Sequence, residues 1–366
     1  MNIYTATLIR KNYGSMLQAY ALQSCVKQYG ALPYVIIKQS SKKHSRLYHF
    51  FGHSYGLIKY LLKPDVDYSF SRKLKLRIGD SKYDGKYKKL DYFAKEKLSI
   101  QFIVNEKDFI SSIPENSIFL AGSDQVWSSS SKLSWYAFQW VDEKYDKYSY
   151  AASIGKSLLS EEDLEKYKSA LSPFKSISLR ERQALNIFES IFTDKVRQDL
   201  DPTLLWDKNF WRKIESPRLI EEPYVFVYRL RPNDDVFDLA RKVSKEKNCR
   251  IVYTGSYAYS AKDVKTIYDA GVEDFLSLID HAEAVVTNSF HGTAFSVIYE
   301  KPFLSAKVAT TGSRAESLLS LLGLKSQYIS NMDEVFSLQI DYAKANTILS
   351  KERDKSLDYL KSICLR

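Results

Sequence analysis

"AVVTNSFHGTAFSVIYEKPF", residues 284–303, is the stretch around which the rest of the chain can be read. Ala284 to Val286 form a short apolar run suited to a buried strand, and Phe290 to Tyr299 form an apolar segment of helix length stopped by Lys301-Pro302. Between them stand Thr287, Asn288, Ser289, His291 and Gly292. Thr, Asn and Ser are N-cap residues, so the strand is expected to turn straight into the helix. The first N–H groups of a helix lack internal partners and carry the positive end of its dipole, which makes such a turn a natural anion seat. Gly292 lets a ligand approach the backbone, and His291 sits where an anion would lie and can move a proton near neutral pH. Read without chemistry, the same residues are a capped helix with an incidental histidine.

The remaining chain weighs between these readings. Its 366 residues suggest two domains, and its 45 % apolar share is ample for globular cores. The start, "MNIYTATLIRKNYG", has no charged leader, and no run approaches the roughly 20 apolar residues of a spanning helix. Cys25, Cys249 and Cys364 lie far apart, and no Cys/His cluster has metal-ligand spacing. A reduced cytoplasmic protein without a metal or cofactor is therefore expected. The net charge of +10 favours anionic partners. Helix-turn-helix, RNA-recognition and zinc-finger signatures are absent, which argues against nucleic acid.

Strand-to-turn junctions recur along the chain. "NIYTATLI" reads as a first parallel strand, followed by a loop, Asn12-Tyr13-Gly14, and a helix with an apolar stripe. That loop lies at the carboxyl end of the sheet, where open α/β sheets bind ligands. "SIFLAGSDQVW" brings Ser123 and Asp124 to another strand end. There Asp124 is a candidate base toward a hydroxyl, or else a simple cap. "FKSISLRERQ" ends a strand at Arg180, suited to bidentate carboxylate or phosphate recognition or to an ion pair with Glu181. Arg314 falls in the first turn of the "SRAESLLSLLGL" helix. Residues 38–108, rich in Lys, Tyr and Phe, read as a helical insertion. Its basic and aromatic residues would suit an anionic membrane face or a lipid-linked substrate, and a solvated insertion is the plain alternative. The expected division is an α/β domain over 1–205 and a second over 206–345, with a terminal helix over 346–366 packing back on the first.

Taken together and in order, "NYGSMLQAYALQ", "GSDQVW", "YAASIG", "SISLRE", "DPTLL", "TNSFHGTAFSVIYEKPF" and "SRAESLLSLLGL" resemble the polysaccharide pyruvyl transferase family. The chain departs at Ser128, where the family often has Asn. The resemblance implies an α/β fold of two Rossmann-like domains facing across a cleft, similar to B-type glycosyltransferases. It also implies phosphoenolpyruvate as donor and a pyruvate ketal on a sugar as product. His291 matches the family's catalytic histidine and Arg180 its strand-end arginine; Arg314 matches a cationic position after the histidine. On this reading Arg180, Arg314, Ser289, Asn288 and Gly292 hold the donor, while Asn12, Tyr13, Gly14 and Ser123 are acceptor-side or loop residues. The implied acceptor is a sugar of a capsule or exopolysaccharide precursor, either free or lipid-linked, with the protein cytoplasmic or peripheral at the inner membrane face. Two other readings remain open at this point: a sugar-nucleotide-dependent glycosyltransferase and a non-catalytic sugar-binding protein.

Overall fold

A computed structural model describes residues 1–9, 12–39, 83–128, 130–156, 158–233, 235–307, 313–330 and 336–366. The first sheet contains β1 (Asn2–Ala6), β2 (Leu32–Lys38), β3 (Ile100–Ile103), β4 (Ile118–Ala121), β5 (Asp146–Ser149), β6 (Phe174–Leu179) and β7 (Val196–Gln198). All pairings are parallel and the strand order is β3-β2-β1-β4-β5-β6-β7. The second sheet contains β8 (Tyr224–Arg229), β9 (Arg250–Gly255), β10 (Val264–Thr266), β11 (Ala284–Thr287), β12 (Phe303–Ala306) and β13 (Tyr328–Ile329). Its order, β10-β9-β8-β11-β12-β13, repeats the plan of the first. Both are doubly wound, Rossmann-like sheets, in which ligands bind at the strand carboxyl ends where the order reverses. Those switch points fall between β1 and β4 and between β8 and β11, and they face each other across the cleft.

In the first half the described helices are α1 (Tyr13–Gln28), α2 (Asp84–Lys97), α3 (Glu106–Ser112), α4 (Ser130–Tyr136), α5 (Glu161–Leu171) and α6 (Arg182–Glu189). The second half adds α7 (Lys208–Arg212), α8 (Asp235–Lys247), α9 (Val272–Asp280), α10 (Phe290–Ile298), α11 (Ser313–Leu321) and α12 (Tyr342–Cys364). Local rules explain the ends nearest the cleft. Asn12 caps α1 by accepting from Ser15 N at 2.9 Å, and Ser289 caps α10 by accepting from Gly292 N at 3.4 Å. The central strands β4, β8 and β11 are buried at every residue, as parallel strands covered by helices on both faces must be.

One apolar cluster joins the two halves. It runs from Leu17 of α1 through Trp211 of α7 and Phe275 of α9 to Phe295 of α10 and Leu360 of α12. The far face of each sheet keeps its own core, around Trp127 and Phe174 in the first and Phe237 and Tyr253 in the second. The terminal helix begins at Tyr342, after its Asp341 cap, and touches both halves. Tyr342 Oη donates to the Ser296 carbonyl at 3.3 Å, while Tyr359 Oη donates to the Ser149 carbonyl at 3.0 Å.

The helical insertion expected over 38–108 needs correction. Residues 40–82 lie outside the described residues. The described remainder holds α2 but also β3, which pairs parallel with β2, so the chain re-enters the sheet at Ile100. The run "SIQFIV" has β-rich composition, but β3 is a four-residue edge strand with only Ile103 fully buried, which leaves little periodicity to detect.

If α12 belongs to the shared core, removing its deepest side chain should cost a full cavity term. Leu360 is 0 % exposed, and Leu360→Ala is expected to lower unfolding free energy by about 2–5 kcal/mol in urea titration. A change below about 0.5 kcal/mol would mean that the helix does not contribute to that core.

Candidate functional site

The cluster at the facing switch points is built around Asp201, which precedes the short 3-10 turn Pro202–Leu205. Its Oδ1 accepts from Thr203 N at 3.0 Å and from Thr203 Oγ1 at 2.8 Å. Its Oδ2 accepts from Arg180 Nη1 at 2.7 Å and from Ser123 Oγ at 3.1 Å. Arg180 leaves the end of β6 and spends Nε on Glu181 Oε1 at 3.3 Å. Glu181 in turn accepts from Ser153 Oγ at 2.6 Å. The guanidinium lies 4.6 Å from the ring centroid of Phe290, the first residue of α10, which carries the contact into the second domain.

The second domain supplies His291 and Arg314. His291 Nε2 is 3.7 Å from Asp201 Oδ2, too long for a hydrogen bond. Its ring packs on Gly14, where a methyl group would overlap Nδ1, Cγ and Cε1. Arg314 Nη1 and Arg180 Nη2 each stand 3.9 Å from the same oxygen, Asp124 Oδ1. Asp124 has φ 71°, left-handed geometry that costs Asp less than most residues. An isolated bridge to Ala152 holds its backbone there.

Three nitrogens at this centre are buried and have no hydrogen-bond partner among the described residues: Arg180 Nη2, Arg314 Nε and His291 Nε2. Buried polar groups are nearly always paired, so three such atoms in one cluster make it the candidate binding site. Capping of Gly292 by Ser289 also leaves the Phe290 and His291 N–H groups without intrahelical partners.

Electrostatics separate the roles. Burial holds the His291 imidazole below its ordinary value, against the pull of Asp201 and Asp124 and with the push of Arg180 and Arg314. Burial also lowers Arg314, and the Arg180 charge adds to it; Asp124 and Glu181 offset this only in part. Arg180 is raised instead: burial works against its charge, but Glu181, Asp201 and Asp124 outweigh it. Burial would raise the Asp201 carboxyl; the charges of His291 and Arg180 and the bonds from Arg180 and Thr203 keep it below its usual range. Within the Asp201–His291 pair the carboxylate is held ionised, while burial favours the neutral form of the imidazole.

The structure brings together His291, Asp124, Arg180, Arg314 and Ser123, and packs Gly14 on the histidine ring. Other residues expected at the site are engaged elsewhere. Asn288 Oδ1 accepts from Leu230 N at 2.8 Å and Nδ2 donates to the Arg231 carbonyl at 2.9 Å, tying the β8 and β11 loops together. Asn12 caps α1, and Gly292 packs against the side chain of Thr287. Tyr13 lies buried between the domains, its Oη within 3.2 Å of Thr254 Oγ1 and donating to the Ala270 carbonyl at 2.9 Å. Sequence reasoning missed Asp201 and Phe290. The capped pattern Asp201-Pro202-Thr203 flags a turn, but nothing local reports which charges surround it. Among the described residues no group of three or more His, Cys, Asp or Glu is arranged to hold a metal ion. Their cysteines are free, and none of their helices is long and apolar enough to cross a membrane.

The sequence profile of the polysaccharide pyruvyl transferase family matches residues 12–306, which include nearly every residue of this cluster. The chain belongs to the polysaccharide pyruvyl transferase family. It is accordingly a transferase, and pyruvyl transfer to a polysaccharide is the general activity of its family. No curated protein matches the sequence. Among solved structures, UGT89C1 from Arabidopsis thaliana complexed with UDP is similar at 10 % identity and TM-score 0.51, covering 99 % of both chains. UDP-N-acetylglucosamine 2-epimerase from Rickettsia bellii is similar at 14 % identity and TM-score 0.47, covering 99 % of this chain and 98 % of the other. At these identities the first likeness speaks to the fold alone, and it agrees with two Rossmann-like domains facing across a cleft.

Two substitutions separate packing from chemistry in this pyruvyl transferase. Gly14→Ala is expected to displace the His291 ring and cost about 1–3 kcal/mol of stability in a denaturant titration; wild-type stability would show that the ring yields freely. Asn288→Ala leaves the Leu230 N–H without its partner and should also cost about 1–3 kcal/mol. If Asn288→Ala instead keeps full stability and loses donor binding, the residue acts on the ligand rather than on the loops.

Proposed function

We propose that the enzyme transfers the enolpyruvyl group of phosphoenolpyruvate to two hydroxyls of a sugar in a polysaccharide precursor, forming a pyruvate ketal and releasing phosphate. The observation that carries this reading is the trio of buried nitrogens without partners on Arg180, Arg314 and His291. Phosphoenolpyruvate bears a phosphate and a carboxylate, and such a ligand would engage both guanidinium groups and the open N–H groups at the start of α10.

In the proposed reaction His291, protonated as the donor binds, gives its proton to the methylene carbon of the enol. Positive character develops at the carbon bearing the phosphate oxygen. An acceptor hydroxyl attacks that carbon and gives its proton to Asp124. Phosphate leaves with the C–O bonding pair and takes up the proton held by Asp124, and the second hydroxyl closes the ketal by giving its proton back to the imidazole of His291. Asp201 keeps Arg180 in place and faces the imidazolium as it forms. No metal or cofactor enters this scheme, so activity should survive exhaustive chelation. A lipid-linked acceptor at the inner membrane face suits the net charge of +10.

The first test is phosphate release from phosphoenolpyruvate with a panel of sugar acceptors. Acceptor-dependent release, a product heavier by one pyruvyl ketal, and a loss of about 100- to 10,000-fold in His291→Ala are expected. Release of a nucleoside diphosphate from a sugar nucleotide would instead assign glycosyl transfer. Arg314→Ala should raise the donor KM by about ten-fold or more.

The protonation step has its own readout. Free His291 should titrate below its ordinary 6.5 in NMR, and a bound dianion should move it upward. Between the two pKa values donor binding takes up a proton, so donor affinity should fall as pH rises through that window. An unmoved titration on adding phosphoenolpyruvate would remove His291 as the proton donor.

A further inference from the structure

A groove of about 260 Å³ lies away from the charged centre, on the first domain. Its lining is Lys38, Glu106, Ser134, Trp135, Gln139 and Trp140. The two indoles stack with centroids 4.8 Å apart and planes inclined by 11°. Trp140 is fixed by packing and by donation of Nε1 to the Trp135 carbonyl at 3.2 Å. Its ring sits edge-on to buried Phe119, 5.9 Å between centroids, so it forms a rigid floor under Trp135. Lys38 Nζ stands 5.5 Å from the Trp135 ring centroid and pairs with Glu106 at 2.7 Å on the rim. Ser134 and Gln139 are exposed, so the Ser134 hydroxyl and the Gln139 side-chain amide are open to a ligand.

This combination is selective for one ligand chemistry. A sugar ring has one face of C–H groups carrying slight positive charge, which rests on the negative face of an aromatic ring. Its edge is a fringe of hydroxyls that both donate and accept. Trp135, backed by Trp140 on one face, offers the platform once the exposed Lys38 ammonium over its ring swings aside; Gln139, Ser134 and the Lys38–Glu106 pair offer donors and acceptors around it. A nucleic acid or a lipid surface would call for unpaired cations, whereas Lys38 is matched by Glu106. A peptide would call for an apolar pocket or a free strand edge.

The position also fits. Lys38 ends β2, Glu106 follows β3 and Trp135 lies in the helix after β4, so the groove is built from segments at the same carboxyl edge of the sheet as Asp124. Only β1 separates β2 from β4, a lateral span on the order of 10 Å. Trp135 and Trp140 pack on the Trp127–Phe174 core at the far face of the sheet, so an oligosaccharide held there would cross the carboxyl edge to reach Asp124.

We infer that the Trp135 groove is a saccharide subsite that holds the acceptor glycan beyond the sugar being modified, giving the enzyme a preference for chains over single sugars. The assignment of its ligand as acceptor rests on the pyruvyl-transfer reading; the groove's affinity for saccharide does not. It adds a length-sensing element to a site whose chemistry lies at His291.

The test is binding of full-length protein to a printed array of short oligosaccharides of hexose, N-acetylhexosamine, deoxyhexose and uronic acid units, followed by titration of each hit by indole fluorescence. Wild type and His291→Ala should both bind at least one oligosaccharide and bind the matching monosaccharide more weakly. Trp135→Ala should weaken binding about ten-fold, with most of it regained in Trp135→Phe. Gln139→Ala changes an exposed side chain and should also weaken binding, so it decides the matter if Trp135→Ala fails to fold. In turnover, Trp135→Ala should raise the acceptor KM and leave the phosphoenolpyruvate KM unchanged. No saccharide bound by wild type, or folded Trp135→Ala and Gln139→Ala proteins binding as well as wild type, would overturn the inference. Donor binding, followed by thermal shift with phosphoenolpyruvate, keeps the two ideas apart. Donor bound with the groove indifferent to saccharide defeats the subsite alone; saccharide bound through Trp135 with the donor ignored defeats the pyruvyl-transfer reading alone.

Discussion

The contact on which the site depends is the buried ion pair between Arg180 and Asp201, 2.7 Å long with side chains 4 % and 0 % exposed. Taking two such charges out of water costs several kcal/mol each, and their attraction offsets this only when the remaining lone pairs and protons are also satisfied. Asp201 meets that condition completely, through Arg180, Ser123 and both donors of Thr203. The price of the pair is therefore met by fixing three separate pieces of chain: the end of β6, the loop after β4 and the turn at Pro202. Arg180 meets the condition only in part, and its unspent Nη2 is what gives a structural pair the makings of a binding site.

The two sheets share one strand order but divide the chemistry unequally. The first domain contributes all three carboxylates, Asp124, Glu181 and Asp201, with Arg180 among them. The second contributes the histidine, the less compensated Arg314 and the open helix start. Neither half is a complete site, so the mutual placement of the domains is itself a chemical requirement. The apolar cluster from Leu17 to Leu360 meets it, together with Phe290 beneath Arg180 and Gly14 against His291. At Gly14 only a hydrogen lets the α1 backbone come close enough to seat the ring.

The central strands were legible because a parallel strand buried on both faces is an uninterrupted apolar run, as in "IFLA" and "AVVT". The strands that escaped notice, β3, β7, β10 and β13, are all edge strands of two to four residues. Such strands carry few buried side chains and little period to read. A similar divide runs through the site. His291, Asp124, Arg180 and Arg314 stand out because a strand end or a helix start places each of them in the crevice. Asp201 does not, since its role comes from neighbours 21 and 78 residues away in sequence. Asn288 shows the opposite limit. Its type and place fit a ligand contact, yet its side chain stitches two loops of its own domain together.

Three carboxylates against two guanidinium groups is at first sight an unfavourable inventory for an anionic donor. The carboxylates are not equivalent, however. Asp201 is fully engaged, and Glu181 is held by Ser153 and Arg180. Asp124 approaches both arginines only at 3.9 Å through one oxygen, on a backbone fixed by its bridge to Ala152. It is the carboxylate whose interactions a donor anion can replace at least cost, since two long contacts would give way to direct charge-assisted bonds. The same exchange would leave the Asp124 carboxylate free to accept a proton from an acceptor hydroxyl. On the proposed reading, filling the cationic half of the site is therefore what prepares the acidic half. On that reading, the same ion cluster would turn from a structural to a catalytic role once a second anion competed for its arginines.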